Sequence, residues 1–168
     1  ASLTDAQRAT LVELLPNLPI FGGLTETDAE KVASLLRYRV VEDGAVIARE
    51  GAVGTEMFIV AKGRCRVQHE PRDGGSPFVI AELGPGDCVG EMSLIEIRPR
   101  SATVVALGPV ELYTMTNADF LHLYSSNLSA YTLVVLNLAR ELSHRLRRAN
   151  KVMSAAAQSL SESWRRQD

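Results

Sequence analysis

Glycine-marked turns divide residues 38–116 into runs too short for ordinary helices, and that spacing limits the fold more than any other feature. Asp43-Gly44, Gly51, Gly63, Gly74-Gly75 and Gly84-Pro85-Gly86 interrupt the chain, roughly at the eight- to twelve-residue interval of an all-β sandwich or barrel. Arg39–Glu42, Val46 to Gly51, Glu56–Ala61, Arg64–His69, Phe78–Leu83, a short run ending at Gly90, Ser101–Ala106 and Val110–Thr114 are the strands this predicts. Helical signals flank them. Leu3–Leu15, capped by Thr4 or Asp5, stops at Pro16, and Thr25 or Thr27 caps a second helix running to about Leu36. Thr116 or Asn117 caps another beginning near Ala118.

The segment from about Asn127 to Arg166 reads as one long helix or two with a break. Tyr131, Val134, Val135, Leu138, Leu142 and Leu146 form an apolar stripe along it, with Arg140, Arg145, Arg147, Arg148 and Lys151 crowding its middle. The tail, Ser154 to Ser163, is rich in Ala and Ser, with Leu160 and Trp164 as its large apolar anchors, and reads as a weak helix or a frayed end. Residues 72–77 form a polar, glycine-rich hairpin tip that the sequence marks as flexible.

The 168 residues fit one domain with a full core, and a net charge of −2 gives no general attraction to nucleic acid or an anionic membrane. The longest apolar run, Leu133 to Leu136, is far too short to span a bilayer, and no signal-peptide pattern opens the chain. Cys65 and Cys88 both fall in predicted strands, which favours buried thiols in a reducing, cytoplasmic compartment over a disulfide. A start at Ala1 without methionine carries the expectation that part of a longer parent is missing.

One stretch has a chemistry of its own: Leu83 to Ala106, LGPGDCVGEMSLIEIRPRSATVVA. It reads as a turn, a short strand ending at Gly90, one helical turn from Glu91 to about Ile95, a loop holding Arg98, Pro99 and Arg100, and a β-branched strand. A glycine opening a short helix leaves outward-pointing N–H groups that attract an anion. Arg100, nine positions beyond Glu91, can reach back to the same anion. Glu91 beside it suits a ligand that carries a hydroxyl close to its phosphate.

The pattern G-E-x-x-L followed by P-R-S-A-T, at residues 90–94 and 99–103, resembles the phosphate-binding cassette of cyclic nucleotide-binding domains. That family includes the catabolite activator protein, kinase regulatory subunits and cyclic-nucleotide-gated channels. The string VIAREGAVGTEMFIVAKGRCRV, residues 46–67, resembles the family's first half-roll, in which the glycines matching Gly51 and Gly63 turn corners. The resemblance runs from roughly Leu18 to Arg148. It implies a mainly β, α+β fold: an eight-stranded double-stranded β-helix (jelly-roll) with N-terminal helices, a short cassette helix and a long C-terminal helix. The implied division is a helical segment over 1–36, a β-roll over 37–116 with its cassette at 83–106, and lid or dimerisation helices over 117–168.

By the same resemblance, Arg100 forks onto the equatorial oxygens of a cyclic phosphate, and Glu91 accepts the ribose 2′-hydroxyl. Gly90, Met92 and Ser93 act mainly through backbone amides, and Ser101 contacts phosphate or guanine. Cys88 and Val89, with Val60, Ala61 and Val104, are candidate walls for the base, while Thr103 reads as a strand-interior residue. Arg145 is the candidate lid, by stacking over the purine, with Arg140 and Arg148 as alternatives. His69, His122 and His144 show no metal-binding spacing, and no nucleophile–base or paired-carboxylate arrangement stands out, so no metal and no catalytic role are expected.

The implied function is a cytoplasmic receptor for cAMP or cGMP that signals through its C-terminal helix. The nucleotide would be a ligand rather than a cofactor. The stripe suits a homodimer through that helix, with an unspecified downstream protein, no membrane partner, and no DNA binding by a slightly acidic chain without a recognition helix. The sensor half of an activator-type transcription regulator, or the excised regulatory domain of a channel, kinase or other enzyme, fits the same residues. A scaffold that has lost nucleotide binding fits less well, because Glu91 and Arg100 both stand in place.

Overall fold

A computed structural model describes residues 3–71 and 75–165, with side chains to residue 158. The fold is mainly antiparallel β with helices at both ends. Helix α1 (Asp5–Leu14) is opened by a capping box between Thr4 and Gln7. Two 3₁₀ turns follow, Leu15–Asn17 and Pro19–Phe21, each with proline in its first positions, and then α2 (Glu26–Ala33), capped by Thr25. The strands are β1 (Arg37–Val41), β2 (Val46–Ala48), β3 (Glu56–His69), β4 (Phe78–Leu83), β5 (Cys88–Val89) and β6 (Thr103–Thr116). A 3₁₀ turn, Glu91–Leu94, lies between β5 and β6, and α3 (Asn117–Ser126) and α4 (Leu128–Arg165) complete the chain. The tip of the predicted 72–77 hairpin, residues 72–74, lies outside the described residues, as do the side chains of Leu160 and Trp164.

Among the described residues there are six strands rather than the eight expected. They form one antiparallel sheet in the order β1-β6-β3-β4, with β2 added to β6 and β5 to β3. The difference arises at two glycines. Glu56–Ala61 and Arg64–His69 are one 14-residue strand that passes through Gly63, and Ser101–Ala106 joins Val110–Thr114 in an equally long β6 that passes through Gly108. Both glycines have left-handed φ, 89° and 78°, and the β3–β6 register shifts on either side of Lys62. A left-handed residue bends and twists a strand without ending it. At Gly63 a Cβ would stand 2.5 Å from the Pro109 carbonyl oxygen and 3.1 Å from Val110 Cα, so the crossing of the two long strands depends on its absence.

Curling gives the sheet two buried faces, because successive side chains of a strand point opposite ways. Phe58, Val60, Leu112, Val110, Val104 and Ala106 fill the inside of the curl. Their neighbours Met57, Ile59, Tyr113 and Met115 point outward against the helices, where they meet Leu11, Phe21, Phe120 and Leu138. The segment after α3 is one continuous 38-residue helix, α4, without the alternative break. Asn127 opens it, accepting from Ala130 N at 3.0 Å while its amide donates to Asp28 at 2.7 Å. Ala130, Val134 and Leu138 bury one face, and the buried Asn137 amide donates to the carbonyl of Gly22 at 2.9 Å. This docking carries α4 past the open side of the sheet.

Candidate ligand-binding site

A cavity of about 640 Å³ opens between the inside of the curl, the 3₁₀ turn and α4. Ala48, Val67, Ile80, Leu83, Val89 and Val104 form an apolar wall, and the polar groups gather at the cassette end. All nine residues singled out for ligand contact, Cys88, Val89, Gly90, Glu91, Met92, Ser93, Arg100, Ser101 and Arg145, line this one space. The size and the mixture of an apolar wall with a few convergent polar groups are those of a small-molecule site.

Arg100 is positioned by main chain and by glycine. Its N–H donates to Ala52 O at 2.8 Å and its carbonyl accepts from Gly51 N at 2.9 Å, tying the loop to the turn before β3. The side chain then passes through a slot between Gly54 and Gly90. A Cβ at Gly54 would collide with Arg100 Nε and stand 2.8 Å from its Cδ; one at Gly90 would collide with Nη1. Gly90 also has φ 78°, the left-handed conformation that swings the chain from β5 into the 3₁₀ turn. The guanidinium donates to Ser93 Oγ at 2.9 Å and to the Glu56 carbonyl, and lies 5.6 Å from the centre of the Phe58 ring. Burial pushes its pKa down, with Glu56 and Glu91 opposing, so an anion that restores its lost hydration is favoured.

Glu91 is 5% exposed, and its Oε1 is paired with Arg145 Nη1 from α4. Arg145 therefore reaches the cavity as the partner of a carboxylate. Arg148 also lines the space, whereas Arg140 turns away and donates to Asn137 at 2.9 Å. Of the lining charges, Arg145 is matched by Glu91 and Arg98 by Glu96 at 2.7 Å. Arg100 and Arg148 have no carboxylate partner among the described residues, which leaves the cavity positive within a chain of net charge −2.

Cys88, Val89 and Val104 line the cavity, but Val60 is core inside the curl and Ala61 packs against the helical side. The cavity wall is made instead by Val67, farther along β3, and by Ile80 and Leu83 of β4. Thr103 is buried in the sheet, accepting from Glu50 N at 3.0 Å. Burial, with Glu91 and Asp87 nearby, raises the Cys88 thiol to about 12, so it meets the cavity as a neutral, apolar group. Gly54, Glu56 and Phe58 are the contributors that sequence reading missed. Gly54 has a signal of a kind, a second glycine three residues after Gly51, but nothing in the sequence places it against Arg100.

Among the described residues no cluster of His, Cys, Asp and Glu forms a metal site, and no helix is long and apolar enough to cross a membrane. Residues 38–127 match the family model described as the cyclic nucleotide-binding domain. The chain belongs to this family. This cyclic nucleotide-binding domain is 35% identical over 132 residues to the cyclic AMP receptor protein of Thermus thermophilus, covering 79% of this chain and 59% of the relative. It is 39% identical over 115 residues to a cyclic nucleotide-gated potassium channel of Rhizobium etli, covering 68% and 30%. An acetyltransferase, Pat of Mycolicibacterium smegmatis, is 34% identical over 110 residues, 66% of this chain and 31% of that protein. The crystal structure of the Thermus thermophilus catabolite activator protein superposes with a TM-score of 0.74 at 33% identity, over 83% of this chain and 63% of that one. The domain thus spans somewhat over half of the first relative and about a third of the next two.

Proposed function

We propose that this domain is a receptor for a cyclic purine nucleotide, cAMP or cGMP, and that occupancy is signalled through α4. The observation that carries the reading is that Arg100, fixed in the Gly54–Gly90 slot, and the buried carboxylate of Glu91 line one cavity. A cation beside an acceptor matches a phosphate beside a hydroxyl. The phosphate takes the guanidinium and the amides of the 3₁₀ turn, the ribose hydroxyl takes Glu91, and the base lies along Val67, Ile80, Leu83 and Val89. Ser101, at the edge of the cavity, contacts phosphate or base. No catalytic group takes part, so the nucleotide leaves unchanged.

In this reading 37–116 is the sensing roll, two halves of a jelly-roll wound from β3 and β6, while 1–36 supports it and 117–168 reports occupancy. The relatives named as a receptor and a gated channel support a regulatory role; a cytoplasmic setting and a downstream protein partner belong to the same proposal. A homodimer through α4 belongs to the same proposal, as does the absence of DNA binding by these residues alone.

Isothermal titration with cAMP and with cGMP tests the receptor reading, with Arg100→Ala in parallel. One-to-one binding that Arg100→Ala weakens supports it and shows which purine is preferred. Absence of heat with both nucleotides at high micromolar concentration defeats it.

A further inference from the structure

Glu91 has two carboxylate oxygens, and its Oε1 is the one nearest Arg145 Nη1. The Glu91 side chain is 6% exposed and the Arg145 side chain 55%, so the pair consists of a buried anion held by a cation standing at the mouth. Among the described residues, this is the ion pair that joins the 3₁₀ turn to α4. A carboxylate oxygen accepts from a donor hydroxyl in a short, strong bond, and a guanidinium on the other oxygen fixes the direction in which it is offered.

We propose that Arg145 is a positioning residue for hydroxyl recognition: it holds the Glu91 carboxylate oriented through Oε1 so that Oε2 receives the sugar hydroxyl of the ligand. This rests on the receptor reading above. It replaces the expectation that Arg145 stacks over the base, and it makes α4 part of the selection of ribose over deoxyribose. Discrimination against a ligand lacking that hydroxyl is then a property of the carboxylate–guanidinium pair and not of Glu91 alone. The hydroxyl and the guanidinium bind different oxygens, so they support each other and do not compete. Ligand therefore strengthens the hold of Glu91 on α4.

The test compares the affinities of the cyclic nucleotide and its 2′-deoxy analogue in the parent domain, Arg145→Met and Arg145→Lys. In the parent the analogue binds about 10- to 150-fold more weakly, the range for a hydrogen bond to a charged group. In Arg145→Met this penalty shrinks to about 2- to 10-fold, because binding of the ribonucleotide falls while that of the analogue changes little. Arg145→Lys restores most of the parent penalty, which a merely structural role would not require. An unchanged penalty in Arg145→Met, or tighter ribonucleotide binding in it, overturns the role of Arg145 while leaving the receptor reading intact. Absence of binding to the parent overturns both.

Amide exchange over residues 141–148 provides a readout without ligand. It speeds up in Arg145→Met if the pair holds α4 in place, and stays at the parent rate if it does not.

Discussion

At the scale of single residues, the site depends on what its glycines exclude. Arg100→Ala removes a partly buried charged partner, a change that typically costs about 2–5 kcal/mol of binding. Titration is expected to show a roughly 30- to 4,000-fold loss of affinity for the cyclic nucleotide. Gly54→Ala tests the slot with Arg100 still present. Its Cβ would occupy the space of Arg100 Nε and Cδ, and no left-handed backbone is involved there. Affinity is expected to fall about 10- to 100-fold, roughly 1.4–2.8 kcal/mol, with little change in melting temperature. Gly90→Ala adds about 1–2 kcal/mol of left-handed strain to the same collision and lowers stability as well. Cys88 gives a pH signature. Its thiol, raised to about 12, keeps its proton in the folded state after the unfolded chain, with an ordinary thiol, has lost it. That stabilising contribution is complete below about pH 8.5 and is lost as pH rises from there towards 12, by at most about 1.4 kcal/mol per pH unit. Slow carboxymethylation of native Cys88 at pH 8 and falling stability in alkaline denaturant melts are the expected measurements. Arg100, Glu91 and the rest of the cassette were legible because a compact motif holds them within a dozen residues. Gly54, Glu56 and Phe58 come from the far side of a strand crossing, and only the fold brings them there.

Elements show the same division between local and distant causes. The caps at Thr4, Thr25 and Thr116 were legible, each as a hydroxyl residue three positions before the backbone N–H it receives. The strand count was not, because Gly63 and Gly108 carry the turn signature yet serve as bends inside two paired strands of 14 residues. A glycine marks a left-handed φ; whether the ladder continues past it depends on the partner strand, and each of these strands is the other's partner. The placement of α4 follows from tertiary contacts of one polar residue as much as from its apolar stripe. Asn137 is 6% exposed, donates to the carbonyls of Gly22 and Ile20, and accepts from Arg140. Asn137→Ala leaves those two carbonyls under-satisfied and a small void, at a cost of about 1–3 kcal/mol. Calorimetry is expected to show a melting temperature lower by about 2–10 °C for a domain of this size. A weaker dock for α4 also slackens the approach of Arg145 to Glu91, so nucleotide affinity falls with stability, although Asn137 lies outside the cavity.

For the molecule as a whole, the question is what α4 does beyond the body of the domain. Its packed face ends near Leu142, and Leu146, Val152 and Met153 are 62%, 70% and 60% exposed. Leu142, Leu146, Ala149, Met153 and Ala156 recur at alternating intervals of four and three, the spacing of a heptad seam. Arg147, Arg148 and Lys151 fall outside that seam, so two copies can pair along it in parallel without setting those cations against each other. From Leu146 onward large side chains alternate with alanine, which suits close helix approach and gives a modest interface. The domain is therefore expected to sediment as a concentration-dependent dimer, and Leu146→Glu, which places a charge in the seam, to return it to a monomer of unchanged fold. Arg145 flanks this seam while its guanidinium holds Glu91, so the helix that would pair with a second copy is tied to the cavity by one ion pair. Ligand that steadies Glu91 steadies the first turn of the seam, and saturating nucleotide is expected to lower the dimer dissociation constant several-fold, within the about 1–3 kcal/mol usual for coupled sites. In Arg145→Met that shift disappears while dimerisation itself persists, because the seam residues are untouched. A dimer constant indifferent to nucleotide in the parent domain would leave α4 as a lid alone, with no part in assembly.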